Sequence, residues 1–254
     1  ARVKLLMQII AACLLPISYL YINNLYGFLG IYELPMWGGM LLTIGVLVFV
    51  MNAINLIDGI DGLSASLVLI ALCGLFFLFL RENLGIYCIL IAGLMGVLIP
   101  FLYYNLFGRV ERGQKIFMGD SGSLTLGYIL GVLMVKFCMY NPHVMPYQKD
   151  SIILSVTLLI VPVFDVFRVI IVRLLHHKPI FRADKNHIHH KLIRAGLTQH
   201  QTLISVIALS FLFIIIFFDL IRIIYIINSS VLDLHNVKHY SASSRLHFYT
   251  LLLI

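Results

Sequence analysis

The chain has 254 residues, of which 61% are hydrophobic and only 11% charged, and its mean hydropathy is +1.01. A soluble domain is about 45–50% apolar and roughly 25% charged, so this composition excludes an ordinary soluble protein and indicates an integral membrane protein. The net charge of +7 lies in short loops between apolar runs, so we expect no nucleic-acid partner. Four cysteines lie inside those runs without a CxxC spacing, which favours apolar packing over zinc or redox chemistry: Cys13, Cys73, Cys88 and Cys138.

Seven apolar runs approach or reach the length that crosses a bilayer, about 20 residues. They cover residues 5–22, 36–54, 63–80, 86–104, 122–140, 151–172 and 202–227. These runs are much longer than barrel strands of about 10 alternating residues. The sequence therefore predicts an all-α, polytopic transmembrane helical bundle, with one membrane domain over residues 1–227. Residues 228–254 are predicted to be a polar segment and the start of a truncated C-terminal span.

Basic residues are concentrated on one predicted side of the membrane. If the spans alternate in direction, that side receives the N-terminus and residues 52–62, 105–121 and 173–201, which together hold most of the Lys and Arg. The positive-inside rule assigns the richer side to the cytoplasm. The polar motifs in these segments are therefore expected to face the cytoplasm.

The first polar motif ends the second predicted span. It places two amides and two carboxylates at intervals of three in an otherwise apolar stretch: Asn52, Asn55, Asp58 and Asp61. Unpaired carboxylates are costly to bury, so acids inside a membrane are candidates for function. All four cannot share one face of an unbroken helix, so Gly59 and Gly62 predict that a helix from about residue 36 breaks near Asp58. Helix capping would explain one of the four polar residues, but not the set.

The second motif, residues 113–123, places Asp120 just before Ser121-Gly122-Ser123 and the next span. Small residues at a helix start leave backbone N–H groups that suit phosphate oxygens. Asp120 could hold Mg²⁺, which takes only one or two carboxylates plus substrate phosphates. N-capping without any ligand explains this motif alone equally well.

The third motif, residues 176–191, contains five histidines among lysines and arginines. Zinc is one interpretation. No cysteine lies nearby, and the last three histidines lack the i,i+4 spacing of a helical zinc pair, so an anionic diphosphate is the favoured ligand. A basic loop held against anionic lipid headgroups is the alternative. Just before this motif, Asp165 and Arg168 are spaced to pair on one helix face.

Together the three motifs offer acids for a metal and donors for phosphate on one membrane face. Phosphoryl transfer needs this combination, because positioning and charge neutralisation carry most of its catalysis. The membrane setting suggests that one substrate is itself a lipid. A transporter is the less favoured alternative, because its acids would line a path at the bilayer midplane.

Three segments, Asn52–Leu63, Phe117–Ser123 and His187–His190, resemble in order the signatures of the polyprenyl-phosphate N-acetylhexosamine-1-phosphate transferases. The resemblance extends to about residue 227. It implies transfer of a sugar 1-phosphate from a UDP-N-acetylhexosamine to undecaprenyl phosphate, with release of UMP. It also implies a Mg²⁺ cofactor, with Mn²⁺ as the alternative ion. The implied location is the bacterial inner membrane, with membrane lipids around the bundle and the active site on the cytoplasmic face. Whether the protein forms a homodimer stays open.

The segment His187-Ile-His-His190 followed by Lys191-Leu-Ile-Arg-Ala-Gly196 resembles the GlcNAc-1-phosphate branch, whose products start cell-wall or lipopolysaccharide glycans. UDP-GalNAc or a modified deoxyhexosamine stays open as the donor. One alternative is the phospho-MurNAc-pentapeptide transferase, whose signature typically has three consecutive histidines followed by Phe-Glu. Another is an inactive homologue that only binds UDP-sugar or lipid phosphate.

The resemblance also implies roles for individual residues. Asp120 is expected to be the principal Mg²⁺ ligand, with Asn55 and Asp58 as partners at the metal and the diphosphate. The expected catalytic acids are Asp58, Asp61 and Asp120. The expected substrate-binding residues are Asn52, Asn55, Asn105, Lys115, Phe117, Arg182, His187, His189 and His190. Of these, Asn105 and Phe117 are expected around the uridine, together with Asp61.

One feature of the family is missing from this sequence. The family carries an adjacent Asp-Asp pair just before the span that corresponds to residues 5–22, and one of those acids is proposed to engage the lipid phosphate. The chain contains no Asp-Asp pair and begins after that position, without the family's N-terminal spans. We therefore expect a fragment, and little or no transfer by the fragment alone.

Overall fold

The computed structural model describes residues 2–143, 148, 150–177 and 187–235, with side chains described as far as Ile223. Arg182 therefore lies outside the described residues. The chain divides into two compact units, residues 1–214 and 215–254. The candidate site lies in the first unit, and the described part of the second is the C-terminal part of the last helix.

The described residues form nine α-helices and no β-strand, which confirms the predicted all-α class. In chain order the helices are α1 Arg2–Ile17, α2 Met36–Ile57, α3 Leu63–Arg81, α4 Gly85–Phe107, α5 Gly119–Cys138, α6 Ser151–Leu158, α7 Ile160–Leu175, α8 Ile188–Arg194 and α9 Gln199–His235. Five are long and apolar enough to cross a membrane, namely α2, α3, α4, α5 and residues 199–223 of α9. A polytopic bundle is confirmed, although about seven spans were predicted.

The two remaining predicted spans differ for identifiable reasons. α1 has 16 residues, because the chain turns at Tyr19, whose φ of 59° is left-handed, and Ile22 then donates its N–H to the Thr43 hydroxyl. The predicted span 151–172 is interrupted at Leu159, between α6 and α7. Pro162 accounts for this break, because proline has no N–H and its ring clashes with the carbonyl four residues earlier.

Small residues on α5 let it pack closely against α2. Ser123, Gly127 and Gly131 recur every four residues and are buried. A Cβ at Gly127 would lie 2.7 Å from the Cα of Met51, so only glycine allows this approach. Small residues at this spacing are typical of close helix packing in membranes. The packing brings the start of α5 beside the end of α2.

α1 is joined to α2 by a reciprocal pair of side-chain amides. The Asn52 amide donates to Gln8 Oε1 at 3.0 Å, and the Gln8 amide donates to Asn52 Oδ1 at 3.3 Å. The Asn52 amide also donates to the Val48 carbonyl at 2.8 Å. These bonds hold the N-terminal part of α1 next to the C-terminal part of α2.

The turn between α2 and α3 confirms the predicted helix break near Asp58. α2 ends at Ile57 with Asp58 as its C-cap, and Gly62 adopts a left-handed φ of 76° before α3 begins. Glycine takes this conformation at no steric cost. Ile60 points into a buried apolar cluster with Leu63 and residues of α7 and α9. The polar residues of the turn are thus held on the opposite side, at one end of the bundle.

Candidate active site

The first and second polar motifs meet where α2 ends and α5 begins. The Asn55 amide donates to Asp120 Oδ1 and to the Ser123 hydroxyl, each at 2.8 Å. Ser123 in turn donates to the Gly119 carbonyl at 3.0 Å. The Asp120 side chain is 73% exposed, so its carboxylate opens to solvent while Asn55 fixes its orientation.

Lys4 joins this junction from α1, a contact that sequence reasoning missed. Its ammonium donates to Asn55 Oδ1 at 2.6 Å and lies 3.2 Å from Asp120 Oδ2. The ammonium thus contacts an amide oxygen and a carboxylate oxygen, which are hard oxygen donors. These are the atoms that Mg²⁺ also prefers.

Asp58 lies beside this junction and is half-buried. Its Oδ1 accepts a 2.5 Å hydrogen bond from the Ser64 hydroxyl at the start of α3. Burial raises the pKa of Asp58, and the nearby charges of Asp120 and Asp61 raise it further, while the Ser64 hydrogen bond opposes them. Asp58 thus lies within reach of two other carboxylates, and such a concentration of acids attracts positive charge.

Asp61 is paired with a lysine from the segment before α5. Lys115 Nζ lies 2.8 Å from Asp61 Oδ2 and donates to the Asn105 carbonyl at 2.5 Å. The Asn105 side chain is buried; it accepts the Gly62 N–H at 2.6 Å and donates to the Ile116 carbonyl at 2.8 Å. Asn105 therefore ties the turn after α2 to the segment before α5.

Two further predicted binding residues occupy contrasting positions. Phe117 is 70% exposed, so its ring is open to a planar ligand. Asn52 instead bonds to Gln8 and Val48 between α1 and α2. The structure therefore gives Asn52 a helix-packing role, and its predicted contact with substrate stays a prediction.

The predicted pair of Asp165 and Arg168 is confirmed at 2.7 Å, and it also holds the histidine segment. Asp165 Oδ2 lies 2.8 Å from His187 Nδ1, and its Oδ1 accepts the Ile188 N–H at 2.9 Å. This bond ties His187 to α7, although 22 residues separate it from Asp165.

His189 is buried against the turn that carries Asp58 and Asp61. It is 1% exposed, and neither of its ring nitrogens has a hydrogen-bond partner among the described residues. A Cβ at Gly59 would overlap Nε2 of His189, so glycine is required at this contact. Burial, helped by His190 and His187, lowers the pKa of His189 to about 4, which leaves the imidazole neutral at pH 7. The half-buried His190 packs its ring 4.2 Å from that of His189.

All three polar motifs thus converge at one end of the bundle, with an exposed carboxylate, two lysines and an open aromatic ring. No three His, Cys, Asp or Glu side chains cluster as a metal cage in the described part of the chain. The donor set instead fits a hard cation held by one or two carboxylates and completed by other ligands. A ligand that carries both phosphates and a planar ring matches this arrangement.

The helices and the site define a multi-pass membrane protein with an acid- and amide-lined site at one end of its helical bundle. The family model described as Glycosyl transferase family 4 matches residues 1–138, and the chain belongs to this family.

Named relatives extend the similarity beyond residue 138. The chain is 36% identical over 181 residues to the probable undecaprenyl-phosphate N-acetylglucosaminyl 1-phosphate transferase of Bacillus subtilis, covering 70% of this chain and 47% of that protein. It is 29% identical over 191 residues to the undecaprenyl-phosphate alpha-N-acetylglucosaminyl 1-phosphate transferase of Escherichia coli K12, covering 74% and 50%. The enzyme of the same name from Yersinia pestis is 26% identical over 202 residues, covering 78% and 53%. The chain thus spans about half the length of the curated relatives that it matches.

Proposed function

We propose that this protein transfers GlcNAc-1-phosphate from UDP-GlcNAc to undecaprenyl phosphate and releases UMP. The observation that carries the proposal is the junction of α2 and α5, where Asn55 holds the exposed Asp120 carboxylate at 2.8 Å. Membership of the family and the names of the three relatives support the same reaction.

The proposed reaction exchanges one phosphorus–oxygen bond for another. An oxygen of the lipid phosphate attacks the β-phosphorus of UDP-GlcNAc and forms the new bond. The bond from that phosphorus to the oxygen bridging the two phosphates breaks, and UMP leaves with that oxygen. Lys4 and Lys115 supply positive charge at the junction and at the adjacent turn, where it would neutralise the diphosphate. Phe117 and the Asn105-tied turn offer a surface for the uridine.

Mg²⁺ is the proposed cofactor, and Mn²⁺ is the alternative ion. Asp120, Asn55 and Asp58 would hold it. Oxygens of Asp120 and Asn55 already attract the Lys4 ammonium, and the charge of Asp120 acts on Asp58. When bound, the ion would neutralise charge on the diphosphate as the leaving group departs. Asn55 keeps the Asp120 carboxylate oriented, and Ser123 accepts a second hydrogen bond from the same Asn55 amide.

We place the site on the cytoplasmic face of a bacterial inner membrane. The basic residues near the site, including Lys4 and Lys115, support this orientation through the positive-inside rule. A UDP-sugar made in the cytoplasm would reach Phe117 and Asp120 from that side, while the lipid phosphate would arrive within the membrane.

The test is a radiolabel assay with the full-length protein in membranes that contain undecaprenyl phosphate. UDP-GlcNAc, UDP-GalNAc and UDP-MurNAc-pentapeptide are compared as donors, each with and without Mg²⁺. We expect Mg²⁺-dependent label in the lipid fraction and release of UMP from UDP-GlcNAc. Preference for UDP-MurNAc-pentapeptide would replace the proposal with the peptidoglycan reaction. Binding of UDP-sugar without transfer from any donor would indicate an inactive homologue.

A further inference from the structure

Asp165 is a buried carboxylate on α7 that lies outside the proposed transfer chemistry. Its side chain is 3% exposed, and three donors surround it. Oδ1 accepts from the Arg168 guanidinium at 2.7 Å and from the Ile188 N–H at 2.9 Å, and Oδ2 lies 2.8 Å from His187 Nδ1. A carboxylate buried this deeply is stable only with such partners.

This arrangement determines which nitrogen of His187 is free for a ligand. Asp165 is paired with a guanidinium, so it is an ionised carboxylate that can only accept hydrogen bonds. Nδ1 of His187 must therefore carry the proton of the 2.8 Å bond. Nε2 is then the ring nitrogen of His187 that can bind a ligand. The same arrangement occurs in sites where a carboxylate accepts a hydrogen bond from the other ring nitrogen of a ligand-binding histidine.

Asp165 also anchors the helix that follows His187. His187 is the N-cap of α8, but its side chain makes no capping bond. The N–H of Ile188 would lack a partner at this helix start, and Asp165 supplies it. One carboxylate thus fixes both the His187 ring and the backbone of α8.

Gly59 provides the second anchor, between the histidine segment and the acidic turn. His189 is 1% exposed and packs where a Cβ on residue 59 would stand. Gly59 lies between Asp58 and Asp61. Any larger residue would push the histidine segment away from the two carboxylates.

We infer that Asp165 and Gly59 are positioning residues. Asp165 orients His187 so that Nε2 faces the donor diphosphate. Gly59 leaves room for His189, so that the histidine segment packs against the acidic turn. This inference rests on the proposed function, because the diphosphate is that of the proposed UDP-sugar. Neither residue needs to touch the substrate.

Steady-state kinetics of the full-length protein test the positioning role. Asp165→Asn replaces one acceptor oxygen by an NH₂ donor, so we expect a loss of kcat/KM for UDP-GlcNAc of about ten- to a hundredfold. The loss should come with a raised KM for UDP-GlcNAc and an unchanged KM for undecaprenyl phosphate. Gly59→Ala should act in the same direction. Gly96→Ala is the matched control, because no atom lies within 4 Å of its added Cβ. A purely structural role would lower the yield of active enzyme and leave both KM values unchanged, which would overturn the inference.

The tautomer of His187 is a readout that does not depend on activity. In protein labelled with ¹⁵N-histidine, NMR should place the His187 proton on Nδ1, and His187→Gln identifies the signal. Asp165→Asn should move the proton to Nε2, and the wild-type measurement stands even if that variant fails to fold. A wild-type proton on Nε2 would overturn the inference while leaving the proposed function intact. If His187 has the expected tautomer but the protein transfers no sugar phosphate, the proposed function is wrong.

Discussion

Lys4 contributes a positive charge at the position where a divalent cation is proposed to bind. Its ammonium lies 3.2 Å from Asp120 Oδ2 and 2.6 Å from Asn55 Oδ1, on a carboxylate that is 73% exposed. A lysine there neutralises the carboxylate in the absence of metal. Binding of the proposed metal would displace this ammonium, which would then be available to the phosphate groups of the proposed substrates.

Removing this charge should strengthen divalent binding and weaken catalysis. A unit charge and a divalent cation about 4 Å apart repel each other by about 2 kcal/mol in water, which corresponds to about thirtyfold in affinity. We therefore expect Lys4→Met to bind Mn²⁺ about thirtyfold more tightly, as measured by electron paramagnetic resonance, and to transfer sugar phosphate more slowly. Lys115→Met is the control, because Lys115 pairs with Asp61 rather than Asp120. Equal Mn²⁺ affinities in wild type and Lys4→Met would contradict the placement of the metal.

His189 should make the protein sensitive to acid. Its pKa falls from 6.5 to about 4 on folding, chiefly through burial, so the unfolded chain takes up a proton first as the pH drops. Stability should therefore be lost between pH 6.5 and about 4. In detergent, thermal unfolding midpoints of wild type should fall more steeply over this range than those of His189→Gln. His176→Gln, at the exposed end of α7, serves as the control, and parallel curves for wild type and His189→Gln would refute the buried neutral imidazole.

At the residue scale, local spacing predicted contacts within one element and missed those between elements. The Asp165–Arg168 pair follows from an i,i+3 spacing on a helix and was predictable. The contact of Lys4 with Asp120 joins residues that are far apart in sequence, and nothing local to Lys4 marks it. The helix break near Asp58 was predicted from Gly59 and Gly62, yet the contact of Gly59 with His189 depends on how α8 docks.

At the scale of elements, the row of small residues on α5 sets the position of the site. Gly127 and Gly131 approach the α2 backbone and Leu47, respectively, and Ser123 continues the row to the Asn55–Asp120 bond. A shift of α5 along α2 by one turn, about 5.4 Å, would separate that pair entirely. The proposed metal site is therefore a consequence of helix packing.

Gly127→Ala should loosen this packing and the site together. The added Cβ would lie 2.7 Å from Met51 Cα, which is backbone and cannot move aside. We expect a destabilisation of about 1–3 kcal/mol from overpacking, partly offset by about 1 kcal/mol of improved helix propensity. Thermal unfolding in detergent measures it. Gly96→Ala, which meets no neighbour, should gain stability, and an equal gain in Gly127→Ala would contradict the close approach.

Helix boundaries were predicted correctly where a glycine or a polar residue marks them. The prediction failed where a proline within an apolar run marks the boundary. The end of α2 was predicted from the acidic turn, and the structure places it at Ile57. The break at Leu159 was missed because the residues next to it are apolar and hydropathy does not register a missing N–H. Pro162 was the available signal.

At the scale of the whole molecule, the polar motifs lie together at one end of the bundle, which we call the polar end. The polar end gathers the start of α1, the end of α2 and the start of α5, which meet through Lys4, Asn55 and Asp120. The loop before α2 lies at the other end of that helix. The composition predicted the membrane class, and the alternation of spans predicted that the motifs share one face.

Cysteine accessibility tests the proposed orientation. In a cysteine-free background, Phe117→Cys at the polar end should react with an impermeant maleimide only when the inner membrane is inverted or opened. Ile31→Cys, in the loop before α2, should react from the outer side of the inner membrane. Both side chains are exposed, at 70% and 43%, so the pair is matched. Labelling with the opposite sidedness would contradict a cytoplasmic site.

The most direct measurement of the central claim is Mg²⁺-dependent UMP release by the full-length protein carrying Asp120→Asn. The substitution keeps the size of the side chain and an acceptor for the Asn55 amide, but it removes the charge that a metal needs. We expect UMP release to fall to background in a protein that stays folded in the membrane, while Asp219→Asn on α9 retains the wild-type rate. A wild-type rate in Asp120→Asn would show that the junction of α2 and α5 is not the site of transfer.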